Sequence, residues 1–176
     1  ALGSLSIDNL IIEINAPELP AMDGSALEYT LKILEIGKKT QNKKRKYLRI
    51  KNKLSANIGK RWIEVTPSNQ LKLDIEINYP NTIIGKDNYS YFHDEISFVK
   101  DICLARTFAF AKDVNKLRAS GFGIGGNLNN AILVDKKNIV NNSGLRCKNE
   151  FIKHKVLDCL GDFYLSGYQI IGSFKS

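Results

Sequence analysis

The chain has 176 residues, 43% hydrophobic and 25% charged, which is typical of a soluble globular protein with one large or two small domains. Its three cysteines, Cys103, Cys147 and Cys159, form no CxxC pair, which argues against a disulfide scaffold or a cysteine-ligated zinc site and favours a reducing compartment. No apolar run approaches ~20 residues, so no membrane span is predicted, and the net charge of +8 suits an anionic partner without choosing among nucleic acid, phosphate and acidic lipid.

The first elements in chain order are a strand and a helix. The opening ALGSLSIDNL lacks the charged-then-apolar order of a signal peptide, so a cytoplasmic protein is predicted. Residues 7–15 (IDNLIIEIN) are rich in β-branched side chains and predict a strand, and the prolines of the following APELPA exclude a central strand there. Residues 26–36 predict a helix that ends at Gly37, with Asp23 or Ser25 as its cap.

A run of basic residues follows this helix. Residues 38–53 (KKTQNKKRKYLRIKNK) contain many lysines and arginines and become strand-like near their end. A solvated boundary between two domains and a nucleic-acid patch are both open readings. A patch for single-stranded nucleic acid needs aromatic side chains among the basic ones, and only Tyr47 is present, so the solvated boundary is favoured.

The middle of the chain predicts strands. Residues 61–66 and 71–78 are joined by a Pro-Ser-Asn turn, and residues 88–93 predict a further strand. In LKLDIEIN the apolar residues alternate and share one face of the strand: Leu71, Leu73, Ile75 and Ile77.

A second helix is predicted over residues 96–110, with Asp94 or Ser97 as its cap. Thr107 then falls near the helix end, where its hydroxyl either turns towards a functional site or has no role. A short helix over residues 112–120 and a strand over residues 131–135 come next.

Between that short helix and strand lies a glycine cluster, Phe122-Gly123-Ile124-Gly125-Gly126-Asn127. It lacks the GKS/T of a phosphate loop and the spacing of a dinucleotide fingerprint. Glycines there favour close approach of the backbone to a ligand or to another chain segment.

The last stretch, residues 150–174, predicts an amphipathic helix, a glycine turn and an apolar strand. His154, Asp158 and Asp162 follow at i, i+4 and i+8, so they share one stripe of the helix. An imidazole and a carboxylate one turn apart can hold a divalent cation such as zinc, and Lys155 beside them could hold an anionic substrate group. An ordinary ion pair on a solvated face is the alternative.

Together these segments resemble the UDP-3-O-acyl-N-acetylglucosamine deacetylases, zinc enzymes of lipid A synthesis in Gram-negative bacteria. The most specific likeness is the run H-K-x-L-D-x-x-G-D at residues 154–162. The resemblance is carried by four segments in the family's order: DNLIIEINAPELPAMDGSA, ICLARTFAFAKDVNKLRASGFGIGGNLNNAILVD, NSGLR and EFIKHKVLDCLGDFYLSGYQIIGSF.

The resemblance implies zinc-dependent hydrolysis of an acetamide with release of acetate. His154 and Asp158 match two of the three zinc ligands of the family. Asp162 matches the carboxylate that orients and charges a catalytic histidine, and Thr107 matches a hydroxyl that helps to stabilise the oxyanion. The third zinc ligand, the glutamate base and the catalytic histidine are expected outside these 176 residues, so the chain alone is expected to be inactive.

The same resemblance implies a UDP-sugar acyl substrate. Lys155 matches the contact to the nucleotide diphosphate, and Phe108 matches a residue of the active-site wall. Arg61 falls where the family has a basic residue near the nucleotide. Glu76 and Ile77 fall at the uridine pocket, although the family often has an aromatic residue where Ile77 stands.

The architecture implied is α+β, with two-layer sheet-and-helix domains. Residues 1–40 are expected to end a first domain and residues 41–176 to form most of a second one. Residues 109–135 match a βαβ insert whose apolar passage takes the acyl chain, with Gly126 expected to allow close approach. A basic α+β module that binds RNA or an acidic partner without metal is the alternative. It leaves the stripe and the glycine cluster unexplained, so no nucleic-acid partner is expected, and the sequence predicts no oligomeric state.

Overall fold

The computed structural model describes residues 1–59 and 61–176 and has a mixed α+β architecture. The helices are α1 Leu27–Ile36, α2 Glu95–Ser97, α3 Ala111–Ala119 and α4 Glu150–Tyr164, with a 3₁₀ helix at Gly3–Leu5 and a π-helix at Phe98–Ile102. The strands are β1 Tyr47–Arg49, β2 Leu54–Ile58, β3 Arg61–Thr66, β4 Leu71–Tyr79, β5 Gly85–Phe92, β6 Phe108–Phe110, β7 Ile132–Asp135, β8 Asn138–Ile139 and β9 Gln169–Lys175.

Among the described residues, six strands form the larger sheet, in the order β2-β3-β9-β4-β5, with β1 also paired to β9. Strand β9 lies parallel to β4 on one side, where Leu73 faces Phe174. On its other side β9 pairs in parallel with β1 and then antiparallel with β3. The last strand therefore lies inside a mixed sheet, and helix α4, which leads into β9 through a turn at Gly167 (φ 75°), is positioned by it.

The core lies between this sheet and α4. The apolar face predicted for β4 is confirmed, since its four alternating residues Leu71, Leu73, Ile75 and Ile77 are all buried. The apolar stripe of α4 covers that face with the buried residues Phe151, Ile152, Val156 and Leu160. Burying each such side chain contributes about 1.5–3 kcal/mol, so the core fixes which stripe of α4 remains at its edge.

Strands β6, β7 and β8 form a separate small sheet. Strands β6 and β7 pair in parallel, with α3 between them in the chain, and β8 returns antiparallel to β7. The Asn141 side chain holds the unit together, because its Nδ2 donates to the Leu128 and Ala131 carbonyls (both 2.8 Å) and its Oδ1 accepts from the Leu133 N–H (2.8 Å).

The predicted helix at residues 26–36 and its end at Gly37 (φ 80°) are confirmed. Ser25 Oγ accepts from the Leu27 N–H (3.1 Å), and Asp23 Oδ1 accepts from both the N–H and the hydroxyl of Ser25. Both candidate residues therefore contribute to the start of α1. The cap predicted at Asp94 is also confirmed, and Ser97 completes a capping box.

Three sequence predictions were wrong or incomplete. Residues 7–15 are not a strand, and no described strand pairs with them; a strand needs such a partner for its backbone groups. Strand β2, which pairs with β3, was not predicted.

The third error concerns residues 96–110, which do not form one helix. The helical part stops at Ile102, and β6 begins at Phe108. The backbone between them bonds to distant segments instead, since the Thr107 N–H donates to the Gly24 carbonyl (2.9 Å) and the Ile132 N–H donates to the Thr107 carbonyl (2.8 Å). Tertiary hydrogen bonds thus override the helical pattern here.

None of the helices within the described ranges combines the length and the apolar character that crossing a bilayer requires.

Candidate functional site

The predicted stripe of α4 begins at His154, whose side chain is almost fully buried. Its Nδ1 lies 3.0 Å from the Ala105 carbonyl oxygen. Because a carbonyl can only accept, Nδ1 is the protonated nitrogen, and in the neutral ring Nε2 carries the free lone pair.

That lone pair faces a carboxylate. The Nε2 atom of His154 lies 3.3 Å from Oδ1 of Asp158, one turn along the helix. Burial lowers the pKa of His154, and the nearby Asp158 charge only partly opposes this effect. The imidazole is therefore neutral at pH 7, and two electron-pair donors face each other. Such an arrangement suits a cation between them.

Lys155 and Phe108 border this pair. The Nζ atom of Lys155 lies 2.9 Å from Oδ2 of Asp158 and 5.0 Å from the centre of the Phe108 ring. The Phe108 ring packs edge-on against Phe151 (5.2 Å) and Tyr79 (5.8 Å). A half-exposed ammonium group thus lies against a fixed aromatic wall, next to the histidine and aspartate.

Thr107 is exposed and lies between two anchored residues. Arg106 before it bonds to α4, and Phe108 after it packs on α4. Both backbone polar groups of Thr107 are also hydrogen-bonded, which fixes the position of the residue beside the stripe.

Glu150 is a residue of this site that the sequence reasoning missed. Its carboxylate is fully buried and accepts from four N–H groups: Arg106 N (3.0 Å), Nε (2.9 Å) and Nη2 (3.2 Å), and Arg146 N (2.6 Å). Burial alone would raise the pKa of Glu150, but these bonds outweigh it and hold the pKa below its usual value. The sequence did carry one sign of this role, because Glu150 stands one turn before His154 on the same stripe of the helix.

Asp23 has a second partner besides the cap of α1. Its Oδ2 pairs with Nη1 of Arg146 at 2.6 Å, and the Arg146 backbone N–H donates to Glu150. Burial would raise the pKa of Asp23, but the Arg146 and Ser25 hydrogen bonds lower it overall. The start of α1 is thereby tied to the start of α4.

The other predicted residues are not joined to this cluster by any hydrogen bond or ion pair within the described ranges. Asp162 is exposed on the last turn of the stripe, and Arg61 is exposed at the start of β3. Glu76 is exposed on β4 and pairs with Lys86 (3.2 Å). Ile77 beside it is buried on the opposite face of β4, so its side chain belongs to the core.

Gly126 lies in the loop after α3. A Cβ atom added there would lie 3.0 Å from the Gly123 carbonyl oxygen, so the loop itself is tightly folded at this point. The basic run of residues 38–53 is exposed for most of its length, and its members Lys38, Arg45 and Lys53 pair with Glu95, Asp8 and Glu64.

His154 and Asp158 offer two candidate donor atoms for a metal ion, Nε2 and Oδ1. No group of three or more His, Cys, Asp or Glu side chains converges within residues 1–59 and 61–176. His154 and Asp158 are the pair with the right donor atoms, and a complete site needs at least one further ligand.

Comparison with known proteins gives a match along the whole chain. The family model described as LpxC: UDP-3-O-acyl N-acetylglycosamine deacetylase matches residues 1–176. The UDP-3-O-acyl-N-acetylglucosamine deacetylase of Pasteurella multocida (strain Pm70) is 46% identical over 178 residues, which cover 100% of this chain and 58% of that protein.

Proteins with the same name from two further organisms are similar. That of Haemophilus influenzae (strain 86-028NP) is 45% identical, with 100% of this chain and 58% of that protein covered. That of Syntrophus aciditrophicus (strain SB) is 41% identical over 174 residues, with 99% of this chain and 55% of that protein covered. The chain therefore spans little more than half the length of these relatives.

Proposed function

The chain belongs to the UDP-3-O-acyl N-acetylglycosamine deacetylase family, and from this membership we propose that the longer protein containing it hydrolyses the acetamide of UDP-3-O-acyl-N-acetylglucosamine, with zinc, for lipid A synthesis. The observation that carries the proposal is the facing pair of His154 Nε2 and Asp158 Oδ1 on α4. The match along all of this chain supports the proposed substrate, because the relatives are named for it.

The geometry of the pair supports zinc. Tetrahedral zinc with bonds of about 2.0–2.2 Å to nitrogen and oxygen needs those two atoms roughly 3.3–3.5 Å apart. The observed separation is 3.3 Å, and the Ala105 carbonyl keeps the Nε2 lone pair free. We propose His154 and Asp158 as two ligands, with a histidine from elsewhere in the longer protein as the third.

When bound, zinc supplies a Lewis acid that lowers the pKa of water and polarises the acetamide carbonyl. Thr107, exposed beside the stripe, is proposed to donate its hydroxyl to the carbonyl oxygen as negative charge develops. Asp162, one turn beyond Asp158, is proposed to orient and charge a catalytic histidine contributed by another part of the longer protein. A glutamate from a different part of the longer protein is proposed as the general base.

The substrate's diphosphate is proposed to bind at Lys155. Its ammonium group is held against Phe108 and Asp158, so it is positioned before an anion arrives. Arg61 and Glu76, both exposed at the sheet, are proposed to contact the nucleotide. Ile77 is excluded from that role because it is buried in the core.

The acyl chain is proposed to lie along residues 109–135, the insert of the second domain. Three apolar side chains of this segment are largely exposed, Phe122 (66%), Ile124 (75%) and Leu128 (46%), and an acyl chain would cover such a surface. The domain division proposed with it places residues 1–40 in a first domain and residues 41–176 in a second.

The test uses the intact protein. His154→Ala and Asp158→Ala should each lose most bound zinc, measured by elemental analysis, and most release of acetate from UDP-3-O-acyl-N-acetylglucosamine. His93→Gln is the matched control, because His93 bonds to Tyr91 instead (3.1 Å) and should leave the zinc content unchanged. Full zinc content and activity in both α4 variants would contradict the proposal.

The 176-residue chain by itself should hold zinc weakly, because the described residues supply two ligands, and it should not release acetate. Stoichiometric zinc in the isolated chain, in the presence of a chelator that strips weak sites, would show that a ligand has been missed.

A further inference from the structure

On the basis of the metal role proposed for His154, we propose that Glu150 is a positioning residue that fixes the orientation and tautomer of His154 through the peptide group between Ala105 and Arg106. In this role Glu150 contacts neither the cation nor the substrate. It acts on the Ala105 carbonyl, which accepts from the histidine ring.

The geometry of that peptide group carries the proposal. Its carbonyl oxygen, from Ala105, accepts from Nδ1 of His154 (3.0 Å). Its N–H, from Arg106, donates to Oε1 of Glu150 (3.0 Å). One peptide group is therefore held at both ends by residues one turn apart on the same helix.

The two hydrogen bonds depend on each other because a peptide group is planar and rigid. The C=O and the N–H cannot turn independently, so a rotation that frees one also misaligns the other. The two holding residues are separated by one turn of α4, about 6 Å along the helix axis. Both side chains are buried, at 0% and 8% exposure, so water does not readily replace either bond.

The ion pair with Arg106 does not by itself explain why a carboxylate is buried at this position. A buried ion pair such as Glu150 with Arg106 can often be replaced by apolar side chains of similar volume without loss of stability. What apolar replacements cannot supply is an acceptor for the Arg106 N–H. That N–H would be left unsatisfied, and its peptide group would be free to turn away from His154.

The consequence for metal binding is specific. A histidine binds a metal through the nitrogen that is not protonated, and the hydrogen bond at the other nitrogen decides which one that is. With the Ala105 carbonyl held in place, Nδ1 keeps its proton and Nε2 faces Asp158. If the carbonyl turned away, the ring would sample the other tautomer and lose affinity for the cation.

Two double variants of the intact protein separate this role from a merely structural one. Glu150→Met/Arg106→Met removes the buried charges and the acceptor. Glu150→Gln/Arg106→Met also removes the charges but keeps one side-chain carbonyl oxygen, which can accept the backbone N–H of residue 106. The two variants therefore differ in whether residue 150 can accept.

The first readout is the ¹⁵N NMR spectrum of His154 in the metal-free protein. Wild type and the glutamine variant should show the Nδ1–H tautomer, and the double methionine variant should show a mixture. The second readout is the zinc dissociation constant from chelator competition. It should rise about 10- to 100-fold in the double methionine variant and stay within about threefold of wild type in the glutamine variant.

A folded double methionine variant with the wild-type tautomer and zinc affinity would overturn the proposal. If that variant does not fold, Glu150→Asp replaces it, because one methylene fewer withdraws the carboxylate from the Arg106 N–H. Unchanged zinc affinity and tautomer in Glu150→Asp would be equally decisive against it. If wild type binds no zinc at all, the proposed metal function fails, while the tautomer comparison still tests the link from Glu150 to His154.

Discussion

At the scale of single residues, the site depends on groups whose protonation is set by burial. His154 is neutral at pH 7 because burial lowers its pKa, and its Nε2 atom lies 3.3 Å from Oδ1 of Asp158. Asp162 is the same residue type one turn further on, but it is exposed and free of any described ion pair. Two aspartates on one stripe therefore have different surroundings, and they are expected to have different roles.

Asp162→Asn should keep zinc and lower kcat in the intact protein. Its proposed function is to stabilise a charged imidazole, which an amide cannot do, and a loss of about 10- to 100-fold is in the range of general acid–base effects. Asp158→Asn is the control with the opposite expectation, namely loss of zinc. Equal zinc loss in both variants would make Asp162 a ligand.

His93 should make the stability of the protein depend on pH. Burial lowers its pKa, against the opposing charges of Asp94 and Glu95, so the folded state binds a proton less readily than the unfolded state. The free energy of unfolding should therefore be highest above about pH 6.5, the pKa of histidine in the unfolded state. It should fall as the pH drops from there towards the lower pKa of His93 in the folded state.

Urea denaturation at pH 7.5 and pH 5.5 measures this effect. His93→Gln should show a smaller loss of stability on acidification than wild type, although His154 contributes in the same direction. An identical pH dependence in the two proteins would mean that His93 does not titrate in this range.

At the scale of elements, α4 contains the candidate site residues His154 and Asp158, and β9 lies inside the larger sheet. Helix α4 presents the stripe at the edge of the core, and β9 fixes the helix because it lies inside the larger sheet between β4 on one side and β1 and β3 on the other. The turn between them, at Gly167, has a positive φ of 75°. Residues other than glycine adopt this backbone conformation only at a cost in free energy.

Gly167→Ala should lower the free energy of unfolding by about 1–2 kcal/mol, because a Cβ meets no neighbouring atom but the backbone conformation becomes strained. Gly161→Ala is the matched control. That glycine lies inside α4 with equally open space and no positive φ, so alanine should stabilise by about 0.5–1 kcal/mol. Urea denaturation measures both, and effects of the same sign would contradict the explanation.

The loop after α3 offers a test of the proposed acyl passage. Gly126→Val should lower kcat/KM for the acylated substrate in the intact protein, because its Cβ would lie 3.0 Å from the Gly123 carbonyl and displace the loop. Gly125→Val is the comparison, since a Cβ there meets nothing within 4 Å. An unchanged kcat/KM in Gly126→Val would argue against a passage at this loop.

At the scale of the whole molecule, two distant segments converge on the start of α4. Asp23 and Arg146 are 123 residues apart in the chain, and their ion pair joins the segment before α1 to the segment before α4. Arg146 also contacts the hydroxyl of Ser25 and the carbonyl of Leu104. The pair is partly buried, so its removal should lower the stability of the whole protein.

Arg146→Ala should reduce the free energy of unfolding by about 1–3 kcal/mol, because it leaves a partly buried Asp23 carboxylate without its charged partner. Lys32→Ala is the control, since the Lys32–Glu35 pair is largely exposed and should contribute less than about 1 kcal/mol. Thermal or urea unfolding compares them, and equal small losses would mean that the Asp23–Arg146 link is not structural.

The sequence by itself determined the elements that have a clear period, together with the family. The alternation in β4, the apolar stripe of α4, the cap at Asp94 and the stop at Gly37 were all confirmed, because each depends on residues close together in the chain. The stripe also brought His154, Asp158 and Lys155 together, since helical spacing alone places them on neighbouring positions.

Only the tertiary structure decided what those residues face. Residues 7–15 have strand-like composition but no described strand as partner, and the helical pattern of residues 96–110 ends early because its backbone bonds to distant segments. The peptide group between Ala105 and Arg106 makes hydrogen bonds to His154, 49 residues after Ala105, and to Glu150, 44 residues after Arg106. Periodicity describes which face of an element is apolar, but hydrogen bonds between remote segments form only when the chain is folded, so the partners of His154 and Glu150 had to be read from the structure.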